Sequence, residues 1–172
     1  MGNRGPAAGT GGRPRKARID KTTEGKAVRI IKPPDMPAGV DIPEPRIYLS
    51  ENQRDGKPTF ADEIYNETWT WLTKFHCEHL VSQTLIEQFA SAASRWIQTE
   101  RAITAFGFLG KHPTTGEPIT SPFVNMNINF SKLTNNLWQQ IYGVVRENAA
   151  EDYSGRTPKD DVMERLLTTG RA

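Results

Sequence analysis

The residue types with the greatest capacity for chemistry stand in one short run, His76-Cys77-Glu78-His79. Histidine, cysteine and glutamate side chains all bind metal ions, but a structural zinc site needs four ligands, usually from two separated pairs. Outside this run the chain has one more histidine, His112, and no second cysteine. Of the two interpretations, a metal site or a polar turn at a helix end, we favour the turn and predict no metal or cofactor.

No catalytic motif is present in the sequence. The chain contains no GxSxG, GxxxxGK[ST] or HExxH pattern, which would indicate a nucleophilic serine, a phosphate-binding loop or a zinc protease. The acids are scattered along helix faces where solvation is the default, at Glu78, Glu87, Glu100, Glu147, Glu151 and Asp152. We predict that the protein is not an enzyme. A small hydrolase is the alternative, and it would need a pocket with perturbed carboxylates.

The basic residues are concentrated in the N-terminal arm. Residues 1–32 hold nine basic and two acidic residues, a net charge of +7, whereas the remainder holds 13 basic and 18 acidic residues, a net charge of −5. This asymmetry is typical of an arm that binds a polyanion. Gly12-Arg13-Pro14 with its basic neighbours resembles an AT-hook core, but general phosphate contact is favoured over that motif and over a solvated tail. The predicted DNA-binding residues are Arg13, Arg15, Lys16, Arg18, Lys21, Lys26, Arg29 and Lys32.

Several classes of protein are disfavoured by composition. The single cysteine, Cys77, excludes an intramolecular disulfide and favours a reducing compartment. No run of about 18 apolar residues is present, so no membrane partner is expected. The N-terminus lacks the apolar segment of a secretory signal, and we do not expect it to be one.

Two long helices are predicted to form the centre of the molecule. Apolar residues recur every three or four positions from Leu85 to Phe106 and again from Met126 to Val145, which places each set on one helix face. The connector Gly107–Pro122 is too rich in glycine and proline to continue either helix, and its two ends are expected to pair as a short β-hairpin. We therefore predict an all-α fold around a long antiparallel helical hairpin.

Shorter elements are predicted on both sides of this pair. A helix should begin near Thr59, with Thr59 and Asp62 as a capping box, and Ser82 and Ser121 should cap the two long helices. The predicted division is 1–58 as a mostly disordered basic arm, 59–148 as the helical and oligomerisation core, and 149–172 as a linker with a short helix.

The last helix carries an apolar stripe that needs a surface. Thr157-Pro158-Lys159-Asp160 predicts its start. A helix of about three turns is marginal alone in water, so its stripe must pack on the body or on another protein. The predicted partner-binding residues are Val162, Met163, Leu166 and Leu167.

The tryptophans and the body cations each leave two or more interpretations open. Four tryptophans, each able to bury about 150–250 Å², indicate either a wide core or faces buried between subunits; they are Trp69, Trp71, Trp96 and Trp138. The body cations would line a channel between assembled subunits, lie on solvated faces or pair between subunits; they are Arg95, Arg101, Lys132 and Arg146.

With these features in place, the sequence resembles the small subunit of a phage terminase. The most specific match is the connector His112–Pro122, since the family has a Pro-Ser/Thr-Gly-x-Pro-x-x-[Ser/Asn]-Pro run there. The chain departs from the family at Ser82-Gln83-Thr84-Leu85, where the family favours Thr-x-x-Asp. The other matching positions are Gly5-Pro6, Gly12–Lys16, Lys32–Pro37, Trp71-Leu72, Asn125, Asn127 and Lys132.

The resemblance implies a non-catalytic protein of viral genome packaging in tailed bacteriophages. Such subunits form homo-oligomeric rings, bind double-stranded viral DNA and present it to the terminase large subunit, which carries the ATPase and the nuclease. The implied location is the host cell cytoplasm during phage assembly. The alternative is a helical adaptor or regulator whose basic arm binds RNA or an acidic protein partner.

Overall fold

The structure is a computed structural model that describes residues 42–149 and 155–169. A 3-10 turn at Ile47–Leu49 precedes helix α1 (Ala61–Lys74), and a second turn at Glu78–Leu80 precedes helix α2 (Gln83–Phe106). Strands β1 (Leu109–Lys111) and β2 (Pro118–Thr120) follow, then helix α3 (Pro122–Asn148) and helix α4 (Pro158–Thr169). The predicted all-α fold with a small β-hairpin connector is confirmed.

Helices α2 and α3 form the predicted antiparallel pair. Phe106 stacks on Phe123 with ring centroids 5.6 Å apart, and Phe89 lies 5.4 Å from Trp138. Between these contacts Asn127 donates to Glu100 over 2.8 Å. The partners of successive α2 residues therefore run backwards along α3. The strands between the helices pair antiparallel, with Gly110 opposite Ile119, so the short β-hairpin predicted in the connector is present.

An aromatic cluster joins the three longer helices at the centre of the core. Trp138 of α3 lies 5.2 Å from Trp71 of α1 and 5.4 Å from Phe89 of α2. Tyr142 stacks on Trp71 at 6.3 Å. Trp69, Trp71 and Trp138 are all buried within the single chain, so the structure supports the wide-core interpretation for these three tryptophans.

The predicted capping box at the start of α1 is wrong. Helix α1 begins at Ala61, and its N-cap Phe60 makes no side-chain cap bond and has a left-handed backbone (φ 60°). The Thr59 hydroxyl donates instead to the Leu49 carbonyl over 2.7 Å. Since that hydroxyl is used in the tertiary structure, it does not cap the helix. Asp62 and Glu63 do lie in the first turn, where their negative charges interact favourably with the positive end of the helix dipole.

The other predicted helix ends are confirmed, with one exception. The Ser82 hydroxyl accepts from the Leu85 amide at 3.3 Å, and α2 ends at Gly107 with φ 83°. Thr157 and Asp160 form a reciprocal cap on α4. Ser121 stands at the N-cap of α3, followed by proline, but its side chain makes no cap bond.

Part of the predicted arm belongs to the folded body. Within residues 42–58, Leu49 is fully buried in the core, and the Pro43 carbonyl accepts from the Tyr65 hydroxyl over 2.9 Å. The sequence predicts a mostly disordered arm over 1–58, and the described part of that range packs on α1 and α2. The reason is that a few apolar and polar contacts, which have no sequence period, offset the ordering entropy here.

Candidate interaction surfaces

The predicted DNA-binding residues lie outside the described part of the chain. All eight fall between Arg13 and Lys32, and the description begins at Ile42. Their assignment therefore stays a prediction from charge and composition. The described body contributes the position from which the arm leaves, because Pro43 lies 11 residues after Lys32.

The far end of the helical pair exposes a group of large apolar side chains, here called the apolar tip. Phe106, Phe108 and Leu109 are 72%, 68% and 67% exposed. Residues 122–133, the N-terminal part of α3, contribute no buried residue. Monomeric soluble proteins rarely leave large contiguous apolar patches uncovered. The apolar tip comprises Phe106, Phe108, Leu109, Ile119, Met126 and Ile128.

The apolar tip is exposed because α1 is too short to cover it. Helix α1 has 14 residues and α2 has 24, which correspond to lengths of about 21 and 36 Å. The start of α1 lies near Ser94 and Arg101, and its end lies near the first turn of α2. The last part of α2, the β-hairpin and the start of α3 therefore extend beyond the body.

The surface of α3 beside the apolar tip is polar but uncharged. From Pro122 to Ser131 the sequence has no charged residue, and the polar positions are asparagine and serine. Depletion of charged residues is the compositional feature of protein interface cores. The sequence signal for this surface is the apolar stripe of α3. The stripe extends from the core residue Leu137 back to Met126, beyond the part of it that this chain buries.

The structure changes the assignment of the predicted partner-binding stripe on α4. Val162 is fully buried and Leu166 packs partly buried against the chain's own core, so these two are not a free surface for a partner. Met163 and Leu167 are 39% and 72% exposed. The stripe wraps around the helix widely enough that one edge packs on the body while the other faces solvent.

Helix α4 is also held on the body by charged contacts. The Arg165 guanidinium contacts the Glu67 carboxylate at 2.5 Å and the Glu63 carboxylate at 3.2 Å, both on α1. Burial raises the pKa of Glu67, and Arg165 lowers it in part. A half-open cavity of about 210 Å³ lies beside these pairs, lined in part by Phe60, Ile97 and Arg101. The contacts tie α4 to α1 across this cavity.

The four body cations occupy different environments. Arg95, Arg101 and Lys132 are exposed, and Arg146 is half-buried. The Arg101 guanidinium lies 5.9 Å from the centre of the Phe60 ring, and Arg95 donates to Gln98 over 3.3 Å. The half-buried Arg146 is a poor candidate for a channel wall. For the three exposed cations, a channel wall, a solvated face and a pair between subunits all stay open.

A buried carboxylate is the site feature that sequence reasoning missed. Glu87 was expected on a solvated face, but it is fully buried on α2. Its oxygens lie within 3.4 Å of Arg46, 3.3 Å of Tyr48 and 3.1 Å of Gln83. The signal in the sequence is the small size of Ala90 and Ser94, which follow Glu87 on the same face and allow another segment to approach closely.

Glu78 also departs from the expected solvated face. It is buried in the 3-10 turn Glu78–Leu80. His76 adopts a left-handed backbone just after α1 (φ 53°), which makes the run His76–His79 the helix-end turn that was predicted. Among the described residues, no group of three or more histidine, cysteine, aspartate or glutamate side chains is arranged to hold a metal ion.

Comparison with known proteins gives no match for the chain, whether against protein-family models, curated proteins or solved structures. The resemblance to terminase small subunits therefore depends on the residues quoted above alone. Among the described helices, none is long and apolar enough to cross a membrane.

Proposed function

We propose that this protein is a non-catalytic, DNA-binding small subunit of a phage terminase. In this proposal the chain self-associates into a ring, binds double-stranded viral DNA through its basic arm and presents the DNA to the large ATPase and nuclease subunit. A ring multiplies weak arm contacts, because each bound arm raises the effective concentration of the next.

The observation that carries the proposal is the apolar tip. Six large apolar side chains lie exposed at the far end of the α2–α3 pair, and the adjoining first turns of α3 carry no charge. Such a surface supports association with further copies of the same chain, since every copy carries it. The positively charged arm supplies the second property, sequence-independent attraction to phosphates.

The test is the native mass of the purified protein with and without duplex DNA. We expect the wild-type mass to be a high multiple of the 19.3 kDa chain. Combining Phe108→Asp with Leu109→Lys should reduce the mass to that of a monomer or dimer. Both side chains are largely exposed, so the charges should change the free energy of unfolding by only about 0.5 kcal/mol.

Leu80→Asp is the matched control. Leu80 is also an exposed apolar residue, but it lies at the opposite end of α2, so this variant should keep the wild-type mass. A wild-type protein that is monomeric and ignores DNA would contradict the proposal and favour the helical adaptor. An unchanged mass in the tip variant would place self-association elsewhere.

A further inference from the structure

The segment that connects the arm to the body is held by polar side chains of α1 and α2. The Tyr65 hydroxyl donates to the Pro43 carbonyl over 2.9 Å. The Gln83 amide donates to the Glu44 carbonyl over 3.0 Å. We call residues 43–48 the arm root, because the chain passes through them from the basic arm into the body.

Glu87 is the centre of these contacts. Its Oε1 accepts from the Arg46 amide at 3.4 Å and from the Gln83 side chain at 3.1 Å. Its Oε2 accepts from the Tyr48 hydroxyl at 3.3 Å and faces the Arg46 guanidinium at 3.4 Å. Apart from Gln83, which itself bridges to Glu44, every one of these groups belongs to the arm root.

The position of a buried carboxylate here is costly without such partners. A carboxylate removed from water must be paired and hydrogen-bonded to be tolerated, and Glu87 is fully buried. The Arg46 side chain, in contrast, is 61% exposed. Burial and the neighbouring Glu87 charge raise the pKa of Tyr48, so its hydroxyl remains a donor. These contacts therefore hold the arm root at one position on α2.

The place of attachment is far from the apolar tip. Glu87 stands in the second turn of α2, and Phe106 is its last residue. The 19 intervening steps correspond to about 28 Å along the helix. We propose that Glu87 is a positioning residue that fixes the arm root at the end of the body opposite the apolar tip. In the ring of the proposed function, on which this inference depends, all arms would then leave from the side away from the tip contacts.

The first experiment measures the position of the arm root directly. Spin labels on Ile42→Cys and Gln88→Cys, both exposed positions, report the distance between the root and α2. We expect one narrow distance distribution in the wild-type background and a broad one after Glu87→Ala. Glu87→Gln keeps one oxygen acceptor and should give an intermediate width. A distribution that stays narrow after Glu87→Ala would overturn the proposal.

Amide hydrogen exchange gives a second readout that separates positioning from general stability. A lost hydrogen bond to a buried charge should speed exchange in the arm root about tenfold or more, whereas the amides of α2 near Ile97 should keep their protection. Equal acceleration in both places would mean that Glu87 only stabilises the fold, and it would overturn the positioning role.

Two gentler variants keep the proposal falsifiable if Glu87→Ala fails to fold. Tyr48→Phe and Arg46→Gln each remove one partner of Glu87 from a side chain that is partly exposed, and each should broaden the distance distribution. Glu51→Gln is the control, since Glu51 is an exposed glutamate just after the root. If the distance distributions of Tyr48→Phe and Arg46→Gln both stay narrow, the proposal is contradicted.

The DNA measurement distinguishes the failure of this inference from the failure of the proposed function. Energy transfer between a dye on Gln88→Cys and a dye on bound duplex DNA should fall after Glu87→Ala, while the salt dependence of binding stays the same. If the wild-type protein binds no duplex, the proposed function fails, and the label distances still decide the role of Glu87. If DNA binds but the energy transfer is unchanged after Glu87→Ala, Glu87 does not position the arm.

Discussion

Two polar residues of this protein, Thr59 and Glu87, have roles that depend on tertiary contacts. Thr59 has the type and spacing of a helix cap, yet its hydroxyl bonds the Leu49 carbonyl. Glu87 has the type of a surface residue, yet it is buried among donors from the arm root. In both cases a buried donor or acceptor must be satisfied, and residues 46–49 supply tertiary partners for it.

At the same scale, Glu67 makes stability depend on pH. Burial raises its pKa above the ordinary value of 4.5 in the folded chain. Folding therefore favours the protonated form, and the contribution of Glu67 to stability is full below the unfolded pKa and is lost as pH rises through the folded pKa. Glu67→Gln mimics the protonated form at every pH.

We therefore expect wild-type stability to decline relative to Glu67→Gln as pH rises above the ordinary glutamate pKa of 4.5. Urea unfolding of both proteins at several pH values measures this difference, with Glu51→Gln as the control for a change of net charge at an exposed glutamate. If the free energy of unfolding of the wild type instead rose relative to that of Glu67→Gln with increasing pH, the expectation would be wrong. The ion pair with Arg165 would then favour the charged carboxylate more than burial disfavours it.

At the scale of whole elements, helix α4 has two different edges. Val162 is fully buried against the core, and Leu167 is 72% exposed on the same helix. Its cap is local, since Thr157 and Asp160 bond each other, but a helix of 12 residues needs tertiary packing to be stable. One edge supplies that packing, and the other leaves Met163 and Leu167 exposed. We propose that this exposed edge docks on the large subunit of the proposed function.

Truncating one side chain on each edge should therefore affect stability and partner stimulation in opposite ways. Val162→Ala should lower the free energy of unfolding by about 2 kcal/mol, because it removes buried methyl groups and leaves a cavity. Leu167→Ala should change it by no more than about 0.5 kcal/mol and should weaken stimulation of the large subunit. Chemical denaturation and an ATPase assay with the large subunit measure the two effects.

The comparison of these variants also tests the proposed role of α4. If Leu167→Ala left the large subunit fully stimulated, and a Met163→Ala, Leu167→Ala double variant did the same, the exposed edge would not be the partner surface. Loss of DNA binding in the same variants would contradict the separation of the two functions.

For the whole molecule, the proposed function assigns DNA contact and self-association to different segments of the chain. The arm of residues 1–32 carries a net charge of +7 against −5 in the remainder, while the apolar tip lies about 28 Å along α2 from the level of Glu87. Under the proposed function, self-association through the apolar tip and DNA contact through the arm would therefore not compete for one surface.

The salt dependence of DNA binding is the prediction at this scale. If about five charges of the arm meet phosphates, the slope of log affinity against log salt concentration should be near −4.5. Changing Arg13, Arg15 and Lys16 to glutamine should reduce that slope by about 2.7, whereas Lys57→Gln, at an exposed lysine outside the predicted DNA-binding set, should leave it unchanged. A slope that did not respond to the arm would place the DNA contact on the body.

The sequence by itself determined the elements and most of their ends. Apolar periodicity predicted α2 and α3, Gly107 and Pro122 marked their limits, and Thr157–Asp160 marked the start of α4. These features are local: a helix face, a glycine with positive φ and a cap each involve residues within a few positions of one another. Charge asymmetry likewise needs only composition.

The tertiary structure alone decided which residues of each stripe are buried. Leu137 and Leu133 belong to the same apolar stripe, but Leu137 is in the core and Leu133 is 46% exposed, because the short α1 covers only part of the helical pair. Val162, Glu87 and Thr59 took their roles from segments that are distant along the chain. Periodicity fixes the face of a helix, but only packing fixes how much of that face a neighbour covers.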